Sequence, residues 1–357
     1  MAAKIKFGIS QKLSLMLLLV TLVPLTVIWF FSYQNITKLT TAKVVGQLTG
    51  VNQNLVTFVD SWIDMNQRML QQNASLEAMQ SMEREQQIEI LETIPRYYDW
   101  AYLAFTTDTE GNNVGRSDGK SLKYYGDRVY FKQVAEGKQF GHQLLIGKTS
   151  GKPAMVLSTG IVDGTGSFVG VLAQAMTLTE LSGKIVTKRI GNTGFSFLLD
   201  DQGQVVTHPD EAMTQARTDL SDHPMLVAFK DGKTTAVFEN ANGEKIVAVA
   251  QNTAQGLTVI SRQNYDEAYY FIKAENNKAI IILVVTLIAI LLSALLVSKW
   301  LTLPIRNLTE IADKYSQGQL DLKISGLDRN DEIGLLSQAI ERMGTSIRLA
   351  MNRLKKK

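Results

Sequence analysis

The chain has 357 residues, no cysteine, three histidines and a formal net charge of +3. Without cysteine, disulfide stapling, thiol catalysis and thiolate metal sites are excluded, so any folded domain depends on its apolar core. The length suits about two ordinary domains, yet much of the apolar content is gathered in two blocks.

The first block, "LSLMLLLVTLVPLTVIWFF" at 13–31, carries no charge. As a helix it reaches about 30 Å, the thickness of a bilayer's hydrocarbon core. Residues 1–12 before it hold Lys4, Lys6 and Lys12. A cleaved signal peptide begins in the same way, but the run is too long and no small-x-small site follows, which favours an uncleaved anchor. Pro24 is tolerable there, because Thr21 or a neighbouring helix can satisfy the carbonyl its ring leaves free. The second uncharged block, "AIIILVVTLIAILLSALLVS" at 279–298, is followed by Lys299 and Arg306. These basic flanks place both termini in the cytoplasm. The expectation is a two-span protein of the cell inner membrane, with residues 32–278 in the periplasm or outside the cell.

Charge supports this division, since both ends are net basic and the middle is net acidic. An acidic outer segment is a poor nucleic-acid binder. The basic tail "MNRLKKK", 351–357, reads as a solvated or headgroup-facing end.

After the first span, Leu48, Val51, Leu55, Phe58 and Trp62 recur at helical spacing, predicting one or two long helices over 33–93. Beyond Pro95 the texture becomes that of strands: "WAYLAFTTDTEGNN", "PAMVLSTGIVDGTGSFVGVLAQAM", "GFSFLLDDQGQVVTHP", "TTAVFENANGEKIVAVA" and "GLTVISRQ". "DGTG", "DDQG" and "NANG" read as hairpin connections whose glycines can take positive φ. Their acidic residues are turn formers rather than calcium ligands, because no oxygen-rich loop of the needed length accompanies them. The strands fall into two groups, roughly 100–178 and 194–262, separated by "TLTELSGKIVTKRIGNTG", a predicted helix closed by glycine. The fold class is α+β: two small antiparallel sheets in series, mounted on a long helix.

Three segments, "GDRVYFKQVAEGK", "TSGKPAMVLSTGIVDGTGSFVGVLAQAM" and "IGNTGFSFLLDDQGQVVTHPDE", resemble the double Cache sensor domain of bacterial chemoreceptors and sensor kinases. The resemblance covers nearly all of residues 33–275. It implies two PAS-like modules, a membrane-distal one at about 95–180 and a proximal one at about 190–265, with a small molecule bound in the distal module. Carried over by position, Arg128 would clamp a carboxylate or other anion, Tyr130 and Phe131 would wall the pocket, and Tyr102, Tyr125 and Ala175 would complete its lining. The residues alone leave three readings of Arg128: a surface pair with Asp127, a nucleic-acid contact, or the wall of an anion pocket. A guanidinium makes paired hydrogen bonds to a carboxylate, and aromatic neighbours desolvate and strengthen them.

This sequence departs from the family's amino-acid-binding pattern, in which an aspartate after "GVxxA" holds the α-amino group. Here "GVLAQAM" places Ala175 at that position, and the usual tryptophan and further aromatic are Tyr130 and Phe131. Gln174 is adjacent, but neighbouring side chains on a strand point to opposite faces. An ammonium left unpaired there costs on the order of 1–3 kcal/mol. The expected ligand is therefore a carboxylate or polar metabolite without an α-ammonium group.

Catalysis has little support. His142, His208 and His223 are scattered without ligand spacing or a nucleophile signature, and no glycine-rich phosphate loop precedes a helix. Neither an enzyme nor a cofactor is expected.

Beyond the second span, Leu308, Ala312 and Tyr315 form one apolar stripe, and Leu336, Ile340, Met343 and Ile347 another. Two short amphipathic helices joined by an extended connector predict a bundle completed by a second chain, hence a homodimer. The segment closely resembles a HAMP domain, at 299–350, with Pro304 at its start. The resemblance gives Asp331, Glu332 and Gly334 of "DEIG" a part in coupling the connector to the second helix. Within the 357 residues no output domain follows. The expected reading is a receptor that signals to a separate cytoplasmic protein, or part of a longer receptor. The competing class is a structural or protein-docking membrane protein with a ligand-free ectodomain.

Overall fold

A computed structural model describes residues 9–148 and 150–355. Lys4 and Lys6 of the expected basic start, and the last two lysines of the expected tail, lie outside the described residues. The described chain forms two compact units, one of residues 39–271 and one made of the segments that flank it.

Helix α1 (Ile9–Ala74) opens the chain and contains Pro24. The Pro24 ring removes the hydrogen bond owed to the carbonyl of Val20. The Thr21 hydroxyl donates instead to Leu17 O at 2.6 Å, so the partner expected of it is not the one it takes. Within residues 39–271, α1 buries Leu48, Leu55, Val59, Trp62, Ile63 and Leu70, while α2 (Glu77–Gln80) and α3 (Arg84–Tyr97) fold back beyond its end. Pro95 sits inside the last turn of α3, so the helical region runs slightly past it.

The first sheet comprises β1 (Ala101–Thr107), β2 (Asn113–Arg116), β3 (Phe140–Ile146), β4 (Pro153–Val162) and β5 (Phe168–Thr177), with α4 (Val129–Ala135) between β2 and β3. Its order is β2-β1-β5-β4-β3, antiparallel throughout. Helix α5 (Thr179–Thr187) leads to the second sheet. That helix ends at Lys188 in an extended conformation, and the glycine expected to close it, Gly191, lies in the following turn. The second sheet holds β6 (Phe195–Leu199), β7 (Val205–Thr207), β8 (Thr235–Glu239), β9 (Lys245–Asn252) and β10 (Thr258–Asn264), ordered β7-β6-β10-β9-β8. Helices α6 (Glu211–Ala216) and α7 (Pro224–Lys230) lie between β7 and β8. The three expected turns form as the sequence suggests. Asp163, Asp200 and Asn240 each accept backbone N–H groups, and Gly166, Gly203 and Gly243 stand at positive φ.

One buried cluster joins α1 to a face of each sheet, including Val59, Ile63 and Leu70 with Leu157, Leu172, Leu198 and Val259. Polar residues fix α1 against both sheets. Asn52 donates to Val259 O at 2.9 Å, and Asn66 Oδ1 accepts from Trp100 Nε1 at 2.9 Å and from Gln174 Nε2 at 2.8 Å. A sliding α1 would leave these buried groups unpaired, at about 1–3 kcal/mol each. The opposite faces of the sheets carry separate cores, one beneath α4 and the other beneath α6 and α7.

The second unit contains the early part of α1 and, after α8 (Tyr265–Ala268), helix α9 (Tyr270–Val297). Both are long and apolar enough to cross a membrane. Phe31 is 67% exposed and Val285 60% exposed, an arrangement that a bilayer satisfies and water does not. A π-helical turn, Ser298–Thr302, follows, then α10 (Leu303–Ser316) and α11 (Glu332–Lys355). These two helices and their connector bury Leu308, Tyr315, Leu320, Ile333 and Ile340, with Ala312 and Ile347 packed against them. Leu336 and Met343, expected in the same stripe, are exposed in the single chain.

Candidate ligand pocket and helical coupler

The loop before α4 is shaped by a close backbone approach. Gly111 lies at φ +90, and a Cβ added there would stand 2.3 Å from the Cα of Gly126. Tyr125 N donates to Gly111 O at 2.9 Å, which fixes the "GDR" segment against the β1–β2 turn. Arg128 then becomes the N-cap residue of α4 in an extended conformation. Its side chain does not cap the helix. Gln143 of β3 does, accepting from Val129 N at 3.0 Å. Arg128 is thereby left to face the sheet.

Tyr102, Leu103, Phe105, Tyr125, Arg128, Tyr130, Leu145, Gly147, Lys148, Val156 and Ala175 converge on a cavity of about 20 Å³. Five of the six residues expected from the sequence are among them. Phe131 is not. It is buried in the same core but sits next to the Gly111 turn, one helical position away from the cavity. Phe105 is the aromatic that takes its place, with its ring centroid 4.5 Å from Tyr125 and 6.3 Å from Tyr130. A larger opening, about 490 Å³, lies elsewhere on the distal module between the end of α1, the end of α4 and the β4–β5 turn. Gln71, Gln80, Lys138 and Gln139 line it beside Val134, Val162 and a single aromatic ring, Phe168, whereas four aromatic rings wall the smaller cavity.

The electrostatics of the smaller cavity are cationic. Lys148 Nζ lies 5.7 Å from the Tyr125 ring centroid and bonds Asp127 at 3.1 Å. Arg128 Nε stands 3.8 Å from Asp127, its one ion pair among the described residues. The Lys148 hydrogen bond and the two cationic neighbours hold the Asp127 carboxyl below its ordinary range in spite of partial burial. Of the three readings of Arg128, the pair with Asp127 and the cavity wall both correspond to its surroundings, and the closer claim on Asp127 belongs to Lys148. Burial pushes the Tyr102 and Tyr130 hydroxyls upward, so both stay protonated and can donate to an anion.

Arg116 went unread in the sequence, because "NVGR" gives no local sign of burial. Its side chain is 1% exposed, pairs with Asp118 at 2.8 Å and donates to Tyr125 Oη at 2.7 Å. It therefore fixes one wall of the cavity from behind. Ala175 lies opposite Leu103 on β1 and Val156 on β4, and among the described residues no carboxylate lines this cavity. Gln174 faces α1, as strand alternation requires.

In the C-terminal helices, Asp331 is the residue before α11, and its side chain accepts from Gly334 N at 2.9 Å, as an N-cap does. Arg329 binds the same carboxylate at 3.1 Å and, with that N–H, lowers its pKa to about 2. A Cβ on Gly334 would lie 2.0 Å from Arg329 O, so the connector can cross the helix start only at glycine. Glu332 is exposed in the first turn. Pro304 occupies the first turn of α10 and has no N–H for Trp300, its α-helical partner, whose carbonyl accepts from Arg329 Nη2 at 3.3 Å. Pro304 and Asp331 are thus linked through one arginine.

Residues 33–271 match the Cache domain family, two-thirds of the chain. The chain belongs to the Cache domain family. Residues 296–349 match the HAMP domain, which accounts for α10, the connector and α11. The methyl-accepting chemotaxis protein McpA of Bacillus subtilis is 23% identical over 359 residues, covering 96% of this chain and 51% of that protein. McpG of Pseudomonas putida is 27% identical over 201 residues. The chain spans about half the length of the curated relatives it matches over most of its own. The Cache domain resembles the ligand-binding domain of the Pseudomonas fluorescens chemoreceptor CtaA, solved with L-leucine, at TM-score 0.52, 13% identity, and 64% and 97% coverage of the two chains. It also resembles the ligand-binding domain of Mlp24, solved with asparagine, at TM-score 0.53, 13% identity, and 68% and 98% coverage. At such identities the likeness is one of fold.

Proposed function

We propose that this chain is the sensing and coupling part of a chemotaxis-type receptor that binds a small carboxylate in its distal Cache module. The observation that carries the reading is Arg128, aimed by the α4 start at a cavity walled by Tyr102, Phe105, Tyr125 and Tyr130. A carboxylate bound there takes a charge-assisted pair from Arg128, while the tyrosine hydroxyls serve as neutral donors. Since the cavity holds about 20 Å³, room for roughly one water, admission of a metabolite requires the α4 start or β3 to move outward. That displacement is the signal. With both termini in the cytoplasm, α9 carries it to the HAMP helices, whose exposed Leu336 and Met343 pack in a homodimer, and a cytoplasmic partner or further output segment reads the result.

Amino acids are the second reading, supported by the leucine and asparagine complexes of the CtaA and Mlp24 domains. Ala175 weighs against it, because among the described residues no carboxylate lines the cavity to pair an ammonium. Calorimetry on the full chain in nanodiscs, comparing each amino acid with its deaminated acid, decides between them. Saturable binding of the acid alone supports the proposal, and tighter binding of the amino acid overturns the ligand class. No saturable binding across a broad metabolite set favours a ligand-free docking ectodomain.

A further inference from the structure

The two modules repeat one another around their covering helices. "GDRVYFKQVAEGK", 126–138, aligns without a gap on "SDHPMLVAFKDGK", 221–233. Both α4 and α7 close in the same way: Gly137 N and Gly232 N each donate to the carbonyl three residues earlier, and Lys138 N and Lys233 N to the carbonyl five residues earlier. The sheets follow suit. Asp108 and Asp200 begin matching turns, Leu103 on β1 faces Ala175 on β5, and Phe195 on β6 faces Arg262 on β10. Two equivalences result. His223 is the N-cap of α7 where Arg128 is the N-cap of α4, and Arg262 occupies the sheet position of Ala175.

The proximal face therefore keeps the frame of the distal pocket and relocates its cation from the helix to the sheet. The Arg262 guanidinium lies 4.9 Å from the Phe195 ring centroid, and its Nε is buried without an acceptor. Among the described residues the Arg262 side chain forms neither a hydrogen bond nor an ion pair. The nearest carboxylate influence on it is Glu244, and burial outweighs that by disfavouring its charged form. His208 and His223 pack edge-on against Phe197 at 5.4 and 5.5 Å, and His223 also meets Phe238 at 5.3 Å. Their Nδ1 atoms accept from Asp210 N at 3.0 Å and Met225 N at 3.2 Å. Each neutral ring consequently carries its proton on Nε2, which remains a donor. A guanidinium and two imidazole N–H donors thus share an aromatic nest, and a desolvated guanidinium with no acceptor is costly unless an anion supplies one.

We propose that the proximal module holds a second ligand site in which Arg262 binds a short-chain carboxylate against Phe195, with His208 and His223 as neutral donors. This site does not depend on the Arg128 reading. Its test is saturation-transfer NMR with acetate and propionate on the full chain in nanodiscs, in carboxylate-free buffer. Saturable binding is expected in the wild type and in Arg128→Ala, weakened at least tenfold in Arg262→Met. It should weaken several-fold in His223→Asn, whose amide can still accept from Met225 N. Absence of saturable binding in the wild type overturns the proposal, as does unchanged binding in Arg262→Met and His223→Asn. Loss confined to Arg128→Ala also overturns it, because the probe would then occupy the distal cavity. Should Arg262→Met fail to fold, His223→Asn and Arg262→Lys decide by the same criterion.

Discussion

Arg217, at the end of α6, donates its Nη1–H to the main-chain carbonyl of Leu144 in β3 at 3.0 Å. The same guanidinium pairs with Asp200, and the two side chains are only 13% and 7% exposed. One arginine of the proximal module therefore holds a strand of the distal module, at the residue before the cavity-lining Leu145. Arg217 adopts φ +47 to do so, a conformation that non-glycine residues seldom take.

Replacing this arginine tests the tie. Arg217→Met leaves the Asp200 carboxylate buried without its cation, and the expected loss is about 3 kcal/mol of stability. Urea unfolding of the chain in nanodiscs measures it. A change below about 0.5 kcal/mol, the range of an ordinary surface substitution, would show that the pair contributes nothing net.

The distal cavity is tested by two substitutions that act in opposite directions. Arg128→Ala should weaken a carboxylate ligand by about 1.5–3 kcal/mol, the scale of a hydrogen bond to a charged group, while leaving the partly exposed helix start folded. Ala175→Asp should turn preference toward amino acids, by supplying an ammonium partner, and should disfavour the deaminated acid by repulsion. Calorimetry of each variant with one amino acid and its deaminated acid reads both effects. Unchanged affinities in Arg128→Ala would remove the arginine from the site.

Gly334→Ala places a methyl group against Arg329 O and forces the HAMP connector off the start of α11. The expected destabilisation is about 1–3 kcal/mol, typical of overpacking. Limited proteolysis within residues 317–331 should accelerate relative to the wild type. An identical cleavage rate would mean that the connector has room to yield.

Single cysteines at 336 or 343 should crosslink to their counterparts in membranes under mild oxidation, because both positions are exposed in the single chain and apolar. The chain has no native cysteine to confuse the result. Cysteine at 308, which is buried within the chain, serves as the control. Crosslinking at 308 but not at 336 or 343 would refute the proposed packing.

Acid sensitivity follows from His223, whose pKa is lowered by burial, with Arg262 and His208 adding to the effect, from 6.5 to about 4. Between those values the unfolded chain binds a proton that the folded chain refuses, so stability is full above pH 6.5 and declines as pH falls toward 4. His223→Asn should flatten the melting temperature over this window. An equally steep profile in the variant would assign the sensitivity to other groups, His208 first, since burial lowers its pKa too.

What the sequence revealed depended on how local the cause was. The spans and both amphipathic stripes were visible because hydropathy and periodicity reside in single helices. β2 and β3 were missed, being short or interrupted by His142 and Gln143, and α7 was hidden by Pro224, which sits harmlessly in its first turn. Arg128, Tyr130 and Ala175 were placed by resemblance. Phe131 lies buried beside the Gly111 turn and Phe105 of β1 lines the cavity, a difference set by packing between helix and sheet that the sequence pattern does not display. Arg116, Arg217 and Arg262 owe their environments to strands and loops distant in sequence, and no local pattern announces a buried cation.

The near-closed state of the distal cavity bears on what concentrations such a receptor reports. If the ligand binds only an opened form, apparent affinity equals intrinsic affinity scaled by the fraction of time that form is populated. An open population of about 1% would raise the half-saturating concentration about a hundredfold without altering a single contact to the ligand. Under the proposed function, the contacts that hold the α4 start, Gln143 capping the helix and Lys148 on Asp127, would set the detection threshold, whereas Arg128 and Ala175 would set chemical identity. The working range of the sensor and its selectivity can thus be adjusted at different positions.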